Sequence, residues 1–383
     1  MRVLILATDI YTRGGIARYT STLAATLGEM IGPDNVHVQP LLSTGGAAEN
    51  PAKCRVLKPV TSRLTTASKL RFAGKALGLG RRKYTLIVCT HIGLSPVAAL
   101  VRLFFGTPFW VPCHGSEAWA RFPADVRWAL RRADLILPIS HFTAERVAKV
   151  SGVPQSKMRV LYNAIPDYFA EMLMSSKGAN GPAAASNGKR KHILSVGTVS
   201  RESDYKGYDT VIKALPHVLQ AIPNIRYLVV GEGNDGDRLK RLACEVGVQD
   251  HVEFKGGIPD AELAACYRAC DVFVLPSRVR QSNGYWEGEG FGRVYVEAAL
   301  AGKPVVGSTG GGAAEAVLHG RTGLLVDPTS VTEVADALIK LLRDPELAAR
   351  MGREGRRWAD DNFAVSALTR SLAGLLRPYK LQD

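Results

Sequence analysis

The stretch from Glu287 to Val306 constrains this chain most. Its first part, Glu287-Gly288-Glu289-Gly290-Phe291-Gly292-Arg293, sets glycine at alternate positions, a tight backbone that a ligand can approach closely. The pattern predicts a helix from near Phe291 and then a short buried strand, Pro304-Val305-Val306. A glycine loop, a helix and an apolar strand in that order belong to an α/β protein. The free N–H groups and positive dipole end of such a helix suit a phosphate. Glu289 falls in the loop. Glu297 falls inside the helix among Val294, Val296, Ala298 and Leu300, so at least half of it is buried. A buried carboxylate needs partners, and the hydroxyl groups of a sugar would supply them. An anion at the helix start with hydroxyl groups on either side describes a nucleotide sugar. On local pattern alone, Glu289 as a first-turn charge and Glu297 as a surface residue is an equal reading.

Related patterns occur along the chain. Residues 2–7 read as a buried parallel strand, followed by a loop from Asp9 to Gly15 and a helix from Ile16 to Met30. The loop is not G-x-G-x-x-G, which argues against a dinucleotide enzyme. Gly14-Gly15 is either a simple tight turn or a place where N–H groups meet a phosphate. Tyr84–Cys89, Phe109–Cys113 and Leu135–Ser140 read as further strands. The first two end at His91 and His114, at the strand ends where open α/β sheets bind ligands. Residues 172–192 are rich in Ser, Gly, Ala, Asn and Lys and read as a linker. A second α/β pattern starts with the strand His192–Gly197. Its loop carries Arg201 and Lys206, and a helix follows from Tyr208 to Ala221. Two cations flanking a turn before a helix make an anion site, although Glu202 and Asp204 between them can also pair with them. Asp235 and Asp237 read as charges at a helix start rather than as metal ligands. Tyr285 and Trp286 either stack on an acceptor sugar or pack their own loop.

Glu289 and Glu297, placed around Gly290-Phe291-Gly292, resemble the signature of family-4 retaining glycosyltransferases. The resemblance covers nearly the whole chain and is strongest from 192 to 330. It implies an α/β GT-B fold, two Rossmann-like domains whose parallel sheets face each other across a cleft. Residues 1–168, with a returning helix at 364–383, would be the acceptor side, and residues 190–363 the donor domain. Met158–Leu161 and Tyr162–Pro166 resemble the family's last N-domain strand and exit turn. By resemblance His114 and Glu289 are the catalytic pair, both on the donor sugar. Glu297 meets the ribose, and Arg201 and Lys206 hold the diphosphate. Backbone groups of Phe291, Gly292 and Arg293 meet sugar or diphosphate, the Gly15 loop approaches the reaction centre, and backbone near Ile258 lines the nucleobase. The family is associated with front-face attack, in which a donor phosphate oxygen takes the acceptor's proton. The resemblance implies no cofactor and no metal beyond the donor, a nucleotide diphosphate sugar. A resemblance to bacterial polysaccharide and glycolipid mannosyltransferases favours GDP-mannose slightly over UDP-sugars. Residues 278–286 look longer than the family's usual approach to the glutamates.

The net charge of +14 favours acidic partners. Residues 51–83 hold ten Lys or Arg and no Asp or Glu. Arg63, Lys69, Arg71, Lys75, Arg81 and Arg82, interspersed with Leu64, Leu70, Phe72 and Leu77, are expected on the acceptor or membrane side. A solvated loop is the competing reading. Nucleic acid is not expected, because aromatic residues for base stacking are scarce there. No run of about eighteen apolar residues predicts a membrane-spanning helix. The six cysteines form no CxxC pair and read as reduced core thiols, which points to the cytosol. The expected protein is a hexosyltransferase at the inner face of the cell membrane, acting on a saccharide or lipid-linked saccharide. The alternatives are a sugar-nucleotide epimerase or hydrolase on the same fold, and a non-catalytic nucleotide-sugar-binding or nucleic-acid-binding protein.

Overall fold

The computed structural model describes residues 1–12, 14–43, 53–175, 190–282 and 285–380. Contacts divide the chain into two units, Met1–Ala164 with Val365–Asp383, and Ile165–Ala364. In the first, strands β1 (Val3–Ala7), β2 (Val36–Pro40), β3 (Arg55–Val56), β4 (Leu86–Cys89), β5 (Phe109–Cys113) and β6 (Leu135–Pro138) form a parallel sheet of order β3-β2-β1-β4-β5-β6. Helices α1 (Gly15–Ile31), α2 (Thr66–Gly80), α3 (Ser95–Phe105), α4 (Ala124–Arg132) and α5 (His141–Ser151) belong to this unit. The central strands are apolar along their whole length because helices cover both faces, so alternation is absent.

The second unit opens with α6 (Asp167–Met174). Its strands β7 (Lys191–Val196), β8 (Ile225–Val230), β9 (Val252–Gly256) and β10 (Val272–Val274) are followed by a hairpin, β11 (Arg280–Ser282) and β12 (Tyr285–Glu287), then β13 (Val305–Ser308) and β14 (Gly323–Val326). The parallel order is β14-β13-β10-β7-β8-β9, the same winding as in the first unit. Helices α7 (Tyr208–Ala221), α8 (Gly236–Glu245), α9 (Asp260–Ala269), α10 (Arg293–Leu300), α11 (Ala313–Ala316), α12 (Val331–Arg343) and α13 (Pro345–Phe363) complete it. The chain then returns to the first unit as α14 (Val365–Lys380), whose Leu368, Leu372 and Leu376 share a core with Leu23 and Leu27 of α1.

Both sheets reverse strand order between neighbours, at β1/β4 and at β7/β10. Ligands bind α/β sheets beyond the carboxyl ends of strands at such switch points. The segments that follow β1, β4, β7 and β10 carry Gly15, His91, Lys206 and Glu289 respectively, with Gly15 the first residue of α1.

Several expectations change. Met158–Leu161 is not a strand: Met158 bridges Ile136, and Arg159 and Leu161 donate to the carbonyls of Ile136 and Pro138. The expected linker overlaps α6 at its start and β7 at its end, and residues 176–189 lie outside the described residues. The added residues before Glu289 are the hairpin, with residues 283–284 and the Tyr285 side chain outside what is described. Cys244 is an exposed thiol, while the other five cysteines are buried, and all six are free.

Candidate active site

In the second unit, β7 runs into a 3₁₀ turn, Arg201–Lys206, and then through a left-handed Gly207 into α7. The turn places the Lys206 ammonium on Oε1 of Glu289, with only 11% and 15% of the two side chains exposed. Burial pulls the lysine pKa down, but the carboxylate charge, Tyr205 and the ion-pair hydrogen bond outweigh it and raise the value. The amine therefore stays charged at neutral pH.

The glutamate loop is packed by glycines. Gly312 donates its N–H to the Glu289 carbonyl (3.0 Å), and a Cβ on Gly312 would lie 2.2 Å from the Gly290 carbonyl oxygen. Gly292 caps α10 at φ +81°, so the helix starts at Arg293 rather than at Phe291. The Phe291 side chain is buried against Phe363, leaving only its backbone to a ligand. Glu297 is buried, as read from the sequence, but protein groups already hold it. Arg293 Nε reaches Oε1 at 2.9 Å and the Tyr267 hydroxyl donates to Oε2 at 2.9 Å. A carboxylate has further lone pairs to offer, so Glu297 is oriented and still able to accept.

Arg201 stands apart from Lys206. Its side chain is 60% exposed, and its Nε sits 2.9 Å from the buried Asp235. Asp235, the N-cap residue of α8, also takes both Nε (2.8 Å) and Nη2 of Arg238, so its side chain joins two arginines and makes no cap hydrogen bond. Asp204 pairs with neither Arg201 nor Lys206. It binds Arg280 of the hairpin (3.2 Å to Nη1), and Arg280 also binds Glu287 at 2.8 Å. Arg278 donates its N–H to the Tyr205 carbonyl and its Nη2 to both Asp209 oxygens, at 2.6 and 2.7 Å. The hairpin thus ties the Lys206 turn to the glutamate loop. Arg280→Ala is expected to raise the donor KM about tenfold by loosening that turn. Stability should change by no more than ~1 kcal/mol, because the pair is one-third exposed. Steady-state kinetics with an unchanged KM would count against the latch. Ile258 lies half-buried in the loop after β9.

In the first unit, the ends of β4 and β5 meet α1. His114 Nε2 lies 3.0 Å from the Thr90 carbonyl, which only accepts, so Nε2 carries the proton and Nδ1 is the acceptor. Glu117 folds the loop by accepting from the N–H groups of His114 (2.6 Å) and Gly115 (3.1 Å). The Tyr19 ring stands edge-on to His114 at 4.6 Å. Burial lowers the His114 pKa more than Glu117 raises it, and burial lowers that of His91 as well. An unfolded histidine takes its proton near pH 6.5, and these take theirs only at lower pH. The stability they contribute is complete above pH 6.5 and is lost as pH falls towards their lowered values. The Tm is expected to drop between pH 7 and 5, and to drop less in His114→Gln; equal slopes for the two proteins would reject the assignment. Gly15 opens α1, exposed, with no side-chain cap and no acid in the first turn.

Of the basic residues singled out, Arg63, Lys69, Arg71, Arg81 and Arg82 are exposed. Lys75 is half-buried with its ammonium on the Lys58 carbonyl. Among the described residues, no group of three or more His, Cys, Asp or Glu could hold a metal ion, and no helix is long and apolar enough to cross a membrane.

The family profile described as "Glycosyl transferases group 1" matches residues 179–358, and that of the "Glycosyl transferase 4-like domain" matches residues 14–164. A GDP-mannose-dependent alpha-(1-6)-phosphatidylinositol monomannoside mannosyltransferase of Mycobacterium tuberculosis is 34% identical over 293 residues, 74% of this chain and 73% of that protein. The chain belongs to the group 1 glycosyl transferases. The protein of the same description from Mycolicibacterium smegmatis is 37% identical over 272 residues, 69% of this chain and 68% of that one. The crystal structure of Anabaena HepE in complex with UDP and glucose superposes with a TM-score of 0.80, covering 99% of this chain and 100% of that one at 20% identity. That likeness shows the fold, which is GT-B. This glycosyltransferase is a hexosyltransferase that uses a nucleotide-sugar donor and a glycolipid or saccharide acceptor.

Proposed function

We propose that the enzyme transfers mannose, with retention and without a metal ion, from GDP-mannose to a mannosylated phosphoinositide or a related glycolipid at an anionic membrane surface. The observation that carries this reading is the buried Lys206–Glu289 pair beside the start of α10. It sets a permanent cation and a helix dipole where a leaving diphosphate gathers charge. Glu289 binds donor hydroxyl groups, and Glu297, held by Arg293 and Tyr267, accepts from the ribose. Backbone groups of Gly292 and Arg293 meet the diphosphate, and Arg201, exposed on Asp235, adds a second cation there. Neutral His114 offers Nδ1 to a sugar hydroxyl, and the open start of α1 at Gly15 serves the reacting region. The relatives' names support the choice of donor and acceptor. The exposed cations between 63 and 83 support the membrane surface.

Calorimetry of GDP, UDP and ADP, each with its common sugars and no added metal, tests the donor. GDP and GDP-mannose should bind, and Glu297→Ala should weaken both. Preferential binding of a uridine or adenosine nucleotide would overturn the choice of donor.

A further inference from the structure

Seven large apolar side chains are exposed among the described residues, and five of them belong to the first unit: Leu64, Leu70, Leu103, Phe104 and Phe105. Leu64 precedes the cap of α2, Leu70 lies on that helix, and the other three form the last turn of α3. The two helices meet where α2 ends. A Cβ on Gly80 would lie 2.6 Å from the Phe105 ring. Phe105 is therefore seated against α2, while Leu103 and Phe104 remain 63% and 65% exposed.

The helix stops there by design of its sequence. Gly106 adopts φ +72° and returns its N–H to the Arg102 carbonyl at 2.8 Å. The last turn of a helix ordinarily favours cations and polar groups. Arg102 is its one basic residue, and that side chain is bound to Asp134. An exposed Leu-Phe pair with no core to fill breaks the local rule without a gain in folding, which marks an interaction surface.

The surroundings identify the partner. Arg81, Arg82 and Lys83 directly follow Gly80 at this end of α2 and are exposed, as are Arg63, Lys69 and Arg71 in and before its first half, and no acid occurs from 53 to 83. Two copies of so cationic a face repel each other. A nucleic acid would match the charge but has no use for an aliphatic and aromatic tip. An anionic bilayer matches both, since headgroups attract the cations and the acyl boundary takes the apolar residues.

We propose that Leu103 and Phe104, steadied by Phe105, are a hydrophobic anchor that enters the acyl boundary of an anionic membrane while the cations of α2 lie on its headgroups. This rests on the membrane reading above and adds a salt-resistant component to it. The test is co-sedimentation with phosphatidylglycerol–phosphatidylcholine vesicles at about 0.1 and 1 M salt, where the Debye length falls from ~10 to ~3 Å. The wild-type protein should bind at low salt and keep part of its binding at high salt. Leu103→Ser/Phe104→Ser and the single Phe104→Asp should lose about tenfold or more in partitioning and keep none at high salt. Transfer to a water-soluble mannoside should be unchanged, and an unshifted Tm would show that the variants fold. Equal binding of wild type and variants at both salts overturns the anchor and leaves the electrostatic contact standing. No wild-type binding to vesicles overturns both. Wild-type self-association that the variants abolish reassigns the tip to a second copy of the chain.

Discussion

Lys206→Ala is expected to lower kcat/KM by about 10²–10³-fold, the range found when one preorganised donor to a developing anion is removed. The reason is geometric as well as electrostatic. The turn Arg201–Lys206 fixes the ammonium in a buried position, so it needs no reorganisation when charge gathers on the leaving diphosphate. Its raised pKa keeps it protonated beyond pH 10.5, so it sets no alkaline limb on activity at ordinary pH. The substitution also strands Glu289, whose only ion-pair partner among the described residues is this lysine. Removing one partner of a buried pair costs about 3–5 kcal/mol. Lys206→Ala combined with Glu289→Gln should therefore unfold at a higher urea concentration than Lys206→Ala alone, although both lose at least about 10²-fold in kcat/KM. The cycle of the two substitutions measures the coupling. A single variant with wild-type kcat/KM would remove Lys206 from the donor site.

A second large effect on stability is expected from Gly292→Ala. At φ +81° the new methyl group sits in a region that costs an L-residue about 1–2 kcal/mol. It would also lie 2.2 Å from the Tyr295 ring. That ring is buried and tied by its hydroxyl to the Leu275 carbonyl at 2.7 Å, so it cannot swing aside. Overpacking adds about 1–3 kcal/mol, for a total of about 2–5 kcal/mol in urea unfolding. Gly302→Ala is the internal control. It shares a positive φ of +74°, but its methyl group would meet nothing within 4 Å. It should cost only the backbone part. Equal losses in the two variants would mean that the Tyr295 contact relaxes freely.

The sequence made the strands legible where burial on both faces turns them into unbroken apolar runs, as in β1, β4 and β5. It hid β2, because Val36-His37-Val38-Gln39-Pro40 carries polar residues into a fully buried position. His37 meets the Tyr84 hydroxyl 47 positions away, and the Gln39 amide nitrogen donates to the carbonyl of adjacent Pro40 and to that of Lys58, 19 positions on, so the distant partners lie outside any local window. The site divides in the same way. Arg293 and Glu297 are four apart on one helix, a spacing that announces their pairing. Lys206 and Glu289 are brought together by the sheet across 83 positions, and Tyr267 reaches Glu297 across 30, so neither contact shows in sequence. Arg280 is the clearest omission. Nothing near it signals that a hairpin would carry it to Asp204.

The second unit begins at Ile165 and ends at Ala364, and these two residues bridge each other directly. Topologically it is an insertion closed at its own base, so its core is complete before the chain moves on. The first unit has no such independence. Leu368, Leu372 and Leu376 of α14 fill the same core as Val3, Ile5 and Leu23. On the ribosome, then, the order of completion reverses the order of synthesis. The segment made first must wait with one flank open until the inserted unit has been translated and α14 emerges. Chaperone demand should fall on that early segment rather than on the donor half.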